Sequence, residues 1–164
     1  MELFDYSGLN NSPQYTYISL FSSAGVGCYG FKEEDFGCIA TVELLERRLK
    51  IQKFNNKCPR DSGYICGDMT RQEIKDRVFA EVNKWKSKRP VDTLDVLIAT
   101  PPCQGMSVAN HKKKDELKRN SLVVESVVMV EKLQPKFFLF ENVRAFLSLC
   151  VRMLIIRIKQ LEKL

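Results

Sequence analysis

Cys103 stands in the stretch Thr100-Pro101-Pro102-Cys103-Gln104-Gly105, directly after the apolar run Leu94-Asp95-Val96-Leu97-Ile98-Ala99. A thiol fixed by two prolines at the carboxyl end of a buried strand sits where open α/β sheets place their chemistry. A second apolar run, Phe137-Phe138-Leu139-Phe140, reads as another buried strand and ends in Glu141-Asn142-Val143. In a parallel sheet both strand ends can face one pocket, bringing a sulfur nucleophile and an acid together. The plainer alternatives are an inert thiol beside two prolines and, for Glu141, a carboxylate stabilised at a helix N-terminus. The latter is compatible with a catalytic role.

The segment Ser19-Leu20-Phe21-Ser22-Ser23-Ala24-Gly25-Val26-Gly27-Cys28-Tyr29-Gly30-Phe31 adds a small-residue turn. Such turns let the backbone approach a ligand closely. Gly25, Gly27 and Gly30 reproduce the GxGxxG spacing of dinucleotide-binding turns. A nicotinamide-dependent oxidoreductase would therefore bind NAD and give Cys103 no role. A thiol redox protein fits less well, because no resolving cysteine lies near Cys103 in sequence. Lys112-Lys113-Lys114 fits phosphate neutralisation and a solvated loop equally. His111, the single histidine, reads as a loop residue.

The elements that must position these residues alternate along the chain. Met1 to Gln14 reads as an N-terminal extension, with one domain over residues 15–164. Strands are expected at Tyr15 to Phe21, Cys38 to Val42, Tyr64 to Cys66, the Leu94 run and the Phe137 run. Helices are expected from Gly27 to Glu34, Glu43 to Phe54 and Thr70 to Lys86. In the second of these, Leu45 and Leu49 are the apolar side and Glu46, Arg47, Arg48 and Lys50 the polar one. Thr70 with Glu73 suits an N-terminal capping box for the third. A polar loop from Met106 to about Asn120 precedes a helix over Ser121 to Leu133, and Val151 to Leu164 forms an amphipathic helix. This alternation argues for a doubly wound, mostly parallel α/β sheet.

At 164 residues, with 45% hydrophobic and 28% charged residues, the composition is that of one soluble globular domain. The sequence contains neither a membrane-length apolar run nor a signal-peptide pattern, so a cytoplasmic location is expected. Cys28, Cys38, Cys58, Cys66, Cys103 and Cys150 form no CxxC, which argues against structural zinc. All but Cys103 read as packing thiols. The net charge of +6 is compatible with a polyanionic partner and only slightly favours one.

Taken together, Pro102-Cys103-Gln104 and Glu141-Asn142-Val143 resemble the catalytic motifs of the C5-cytosine DNA methyltransferases. The resemblance runs from Tyr17 to about Leu149. Leu20-Phe21-Ser22 ahead of Gly25 resembles the family's S-adenosyl-L-methionine motif more than the dinucleotide one. Glu43 then corresponds to the carboxylate for the ribose hydroxyls, and Asp68 with Met69 to the adenine-binding turn. Arg119-Asn120-Ser121-Leu122 takes the place of a later motif with Leu122 near the cofactor. Phe54 and Asn55-Asn56 loosely match an aromatic-x-x-Asn stretch. Phe21, Ser22, Gly25, Glu43, Asp68, Met69, Pro102 and Leu122 are the cofactor-binding set this implies. Ser23 and Val26 depart from it, standing where many members have glycine. For Glu43 alone, the alternative is an exposed charge at a helix start.

The same resemblance implies the chemistry. Cys103 adds to cytosine C6, Glu141 hydrogen-bonds or protonates N3, and C5 takes the methyl group of S-adenosylmethionine. Loss of the C5 proton and elimination then free Cys103. The target is a cytosine flipped out of double-stranded DNA, as in the modification enzymes of restriction systems. Pro102 would fix the catalytic loop, and Gln104 would extend it toward DNA. The family's Gln-x-Arg-x-Arg motif, target-recognition domain and closing helix have no counterpart after Val143. Two expectations stand side by side: a catalytic portion completed by a second chain, or an inactive fragment retaining the fold. Either would expose apolar surface where later strands pack.

Overall fold

The computed structural model describes residues 13–87, 94–102 and 113–142, for residues 113–121 the backbone alone. Five strands form one sheet, β1 (Tyr15–Leu20), β2 (Phe36–Glu43), β3 (Tyr64–Cys66), β4 (Val96–Ala99) and β5 (Phe137–Phe140). Their order is β3-β2-β1-β4-β5 and every pairing is parallel. A short 3-10 turn at Val26–Cys28 leads into α1 (Tyr29–Glu33), and α2 (Glu46–Phe54), α3 (Gln72–Lys86) and α4 (Lys113–Leu133) complete the crossovers. The chain winds outward from β1 in both directions, so the order reverses between β1 and β4. That reversal opens a crevice at the carboxyl ends of the central strands.

Alternation along β4 shows how the two faces are filled. Leu97 and Ala99 join a core with Ile74, Val78 and Val82 of α3 and Met129 and Leu133 of α4. Val96 and Ile98 point the other way, into a cluster with Tyr17, Cys28, Cys38 and Cys58, against which Phe31 packs. Burial pushes the Tyr17 phenol and the Cys58 thiol above their ordinary values, so both stay protonated at neutral pH. These thiols act as packing groups. Cys66 does not: it is exposed, its Sγ 3.5 Å from the Leu44 carbonyl oxygen. Among the described residues, no group of three or more His, Cys, Asp or Glu could hold a metal. Nor is any described helix long and apolar enough to cross a membrane.

Asp95 pins the amino end of the sheet. It accepts the Thr16 amide (2.8 Å) and hydroxyl (3.0 Å), and Lys136 Nζ lies 2.7 Å from Oδ1. Burial alone would raise the carboxyl, but the Lys136 and Thr16 donors outweigh it and hold it below its ordinary value.

Three helix starts and the burial of β5 differ from what the sequence suggests. α2 begins at Glu46, because Glu43 still belongs to β2. α3 begins after Arg71 with no side-chain cap; Asp68 Oδ1 instead accepts the Thr70 amide (2.9 Å), closing an Asx turn where a Thr70 capping box was expected. α4 starts at Lys113 rather than Ser121, since Lys, Glu, Leu and Arg are good helix formers. β5 forms as expected but is not buried: Phe137, Phe138 and Leu139 are 70%, 59% and 49% exposed. Among the described residues only β4 pairs with β5. The N-terminal extension and the 151–164 helix lie mainly or wholly outside the described residues.

Candidate functional site

Parallel register decides which loops meet. Leu20 is paired with Val42 on one side and Ala99 on the other, Ala99 with Phe140, and Glu43 with Cys66. The residues that follow these positions therefore emerge along one edge: Asp68, Glu43, Phe21, Pro101-Pro102 and Glu141. Ladder-like hydrogen bonds continue past the strands. Gly67 donates to the Glu43 carbonyl (3.1 Å), Ser22 to Val42 (3.0 Å), Thr100 to Leu20 (3.2 Å) and Glu141 to Ala99 (3.1 Å). Two side chains lock the crevice itself. Thr100 Oγ1 donates to the Phe21 carbonyl (2.8 Å), and Asn142 Nδ2 donates to the Pro101 carbonyl (2.9 Å). The β4 loop is thus tied to the loops after β1 and β5. Cys103, the next residue after Pro102, lies outside the described residues; Pro102 and Glu141 are both exposed.

The β1–α1 loop is tightly held. Phe21 and Ser23 have φ of 57° and 50°, and Gly25 has φ of 88°. The first two carry side chains in a left-handed region that disfavours them, so surrounding contacts must hold them there. Ser23 sits where glycine was the expected residue, and the conformation explains that preference. At Gly25 a Cβ would come 3.1 Å from Gln52 Cγ, so glycine is required on both counts. At Gly27 and Gly30 no described residue comes within 4 Å of where a Cβ would stand; among the described residues no neighbour demands the rest of the GxGxxG spacing.

Glu43 is 5% exposed, not the exposed helix-start charge considered above. Oε2 accepts the Ser23 amide (2.8 Å), and Oε1 accepts the Leu45 amide (3.1 Å) and lies 3.3 Å from Arg48 Nη1. A carboxylate offers about four acceptor sites. Three are occupied here, by the Ser23 and Leu45 amides and the Arg48 guanidinium. Asp68 is exposed at the next strand end, and Met69 behind it is 2% exposed. Gly67 is needed at that turn, because a Cβ there would overlap the Ile74 side chain. Leu122 is half-buried on α4, its carbonyl accepting the Ser126 hydroxyl (2.9 Å).

Several supports escaped sequence reading. Ser22, Thr41 and Gln52 form a buried polar cluster beneath the loop. Gln52 lies seven residues after Leu45 and three after Leu49, on the inward stripe of α2. A polar residue at that position was the available signal.

A doubly wound parallel sheet with its loops converging at the carboxyl edge is an architecture of the Rossmann-like class. Comparison with known proteins narrows this. Residues 15–164 match the model of the C-5 cytosine-specific DNA methylases, and the chain belongs to that family. It is 36% identical over 137 residues to the type II methyltransferase M1.HgaI of Avibacterium volantium, covering 80% of this chain and 35% of that protein. It is 34% identical over 128 residues to M.XorII of Xanthomonas oryzae pv. oryzae, covering 77% and 28% respectively. A solved structure described as a DNA modification methyltransferase encoded within an E. coli prophage superposes with a TM-score of 0.55 at 27% identity. That match covers 79% of this chain and 32% of the other. The chain thus spans about a third of the length of these relatives.

Proposed function

We propose that this chain carries the cofactor-binding and catalytic portion of a DNA (cytosine-5)-methyltransferase acting through a covalent cysteine adduct. The observation that carries the reading is the single edge shared by Phe21, Glu43, Asp68, Pro102 and Glu141, each on a different strand end. Residues 15–164 would form this unit and residues 1–14 an extension, in a protein of the cytoplasm.

S-adenosyl-L-methionine, when bound, supplies an electrophilic methyl group. The residues fit it. Glu43, buried and already oriented by two backbone amides, offers a remaining lone pair to a ribose hydroxyl. Asp68, with one oxygen fixed by Thr70, offers the other to the adenine amino group. Phe21, Ser22, Gly25, Met69 and Pro102 stand on or next to the same strand ends, and by the family resemblance Leu122 joins them at the cofactor. Cys103 attacks cytosine C6, and Glu141 disperses the developing charge at N3 by hydrogen bonding or proton donation. Thr100 and Asn142 fix the backbone at Phe21 and at Pro101, the latter immediately ahead of Pro102-Cys103 in sequence. Once C5 has gained the methyl group that the cofactor would supply, its proton leaves to a base, and elimination releases Cys103. Duplex DNA is the substrate, with the target base flipped out.

The exposed faces of β5 favour completion by further polypeptide carrying the later motifs, which can be supplied for a test as a second chain. Tritiated methyl transfer to duplex DNA tests this with and without such a chain. Transfer is expected only in the mixture, and Cys103→Ser should abolish it. Robust sequence-specific transfer by the 164 residues alone would reject the need for completion. Full activity of the Cys103→Ser mixture would reject the mechanism.

A further inference from the structure

We propose that Gln52 is a positioning residue that sets the chain's affinity for its cofactor by holding the β1–α1 loop, without touching the ligand. The inference rests on the reading that this loop takes S-adenosylmethionine. It concerns a residue that the family resemblance does not single out.

Gln52 is 1% exposed and uses both ends of its amide. Nε2 donates to the Ser23 carbonyl (2.6 Å) and to Ser22 Oγ (2.8 Å). Oε1 accepts from Thr41 Oγ1 (2.7 Å), whose oxygen in turn receives Lys57 Nζ (3.2 Å). Only this amide orientation satisfies both the carbonyl and the hydroxyl donor. Ser23 is consequently gripped at both of its backbone polar groups, the N–H by Glu43 and the C=O by Gln52. That grip matters because Ser23 stands at φ 50°, beside Phe21 at φ 57°. Left-handed residues bearing a Cβ persist only where their surroundings over-determine them. A glycine at position 23 would need less support; serine there makes the Gln52 strut necessary. The strut's aliphatic part also lies under Gly25, closing the space a side chain would occupy.

The consequence is a division of labour. Glu43 would meet the ligand directly, whereas Gln52 would keep the loop in the shape that the ligand requires. Releasing Ser23 should let the loop populate ordinary right-handed conformations. The binding-competent fraction would then fall, and apparent affinity with it.

The test compares the full chain with Gln52→Leu, Thr41→Val, Thr41→Ser and, as a control on the exposed side of α2, Lys50→Ala. Amide exchange without ligand is read first. Ser23, Ala24 and Gly25 should exchange at least tenfold faster in Gln52→Leu, with the β1 and β4 core amides unchanged. Titration with S-adenosylmethionine should then show at least tenfold weaker binding for Gln52→Leu. A smaller loss is expected for Thr41→Val, with recovery in Thr41→Ser, which keeps the hydroxyl. Should Gln52→Leu fail to fold, the Thr41 pair decides: equal affinity and equal loop exchange in Val and Ser variants overturn the inference. Parent-like binding or loop exchange in a folded Gln52→Leu also overturns it. A parent that binds no S-adenosylmethionine defeats the underlying functional reading, and the inference with it.

Discussion

The β1–β3 and β4–β5 regions of the sheet are built to different degrees of completion. Around β1 and β2 every strand residue from Thr16 to Leu20 and Cys38 to Glu43 is buried, and the emerging loops are fixed by Glu43, Gln52 and Thr41. On the other side, β4 is fully buried, but β5 leaves Phe137, Phe138 and Leu139 open. Glu141, which the mechanism needs beside a flipped base, is exposed at its end. A parallel strand rich in aromatics is ordinarily covered on both faces. The chain therefore holds a well-covered β1–β2 side and a β4–β5 side that presents apolar surface for something else to pack against.

The contrast can be broken most forcefully at the catalytic side. Glu141→Gln, measured in the completed enzyme, should lower methyl transfer by about 10²–10⁴-fold, the usual contribution of a positioned acid. Its effect on S-adenosylmethionine binding should be slight. A variant retaining parent rates would remove Glu141 from the mechanism.

Packing gives the next largest effect. Ile98→Ala on β4 should cost about 2–5 kcal/mol in urea unfolding, because the buried side chain leaves a cavity. Phe138→Ser on exposed β5 should change stability of the isolated chain by about 0.5 kcal/mol or less. Equal losses at both sites would mean that β5 is covered in solution, and light scattering would then reveal association.

Asp95 joins the two regions, since it holds Thr16 of β1 and Lys136 ahead of β5. Asp95→Asn should cost about 1.5–3 kcal/mol near neutral pH, the range for hydrogen bonds to a charged group. Folding lowers this carboxyl's pKa, so the folded state binds fewer protons. Its contribution should be full above the unfolded carboxyl's pKa of about 3.9 and fade as acid titrates the folded group. Urea midpoints of parent and variant should therefore converge in acid. A gap that widened in acid would contradict the assigned ion pair.

Much of this was legible in residue patterns, for identifiable reasons. Apolar runs bounded by turns marked all five strands, because parallel strands must be hydrophobic on both sides. A parallel sheet let the β4 and β5 strand ends be expected together, whereas Phe21, Glu43 and Asp68 were grouped through the family resemblance: no periodicity reveals which strand ends are neighbours, and register supplies that. Apolar content could not report the exposure of β5, since it records what a strand is suited to pack against and not what surrounds it. The early start of α4 was missed because a charged run reads equally as solvated loop and helix. Gln52 is buried on the inward stripe of α2, where apolar side chains are the ordinary signal, so its polar character hid its place there. Glu43 was assigned a ligand role without its structural one, the capture of the Ser23 amide.

The central claim is that the carboxyl edge of β1, β2 and β3 takes S-adenosylmethionine. Hydrogen-exchange mass spectrometry of the full chain, with and without millimolar S-adenosylmethionine, tests it most directly. The account predicts added protection in residues 21–26, 43–45 and 67–70, with the exposed β5 strand unchanged. Protection confined to other segments, or none at saturating ligand, would contradict it.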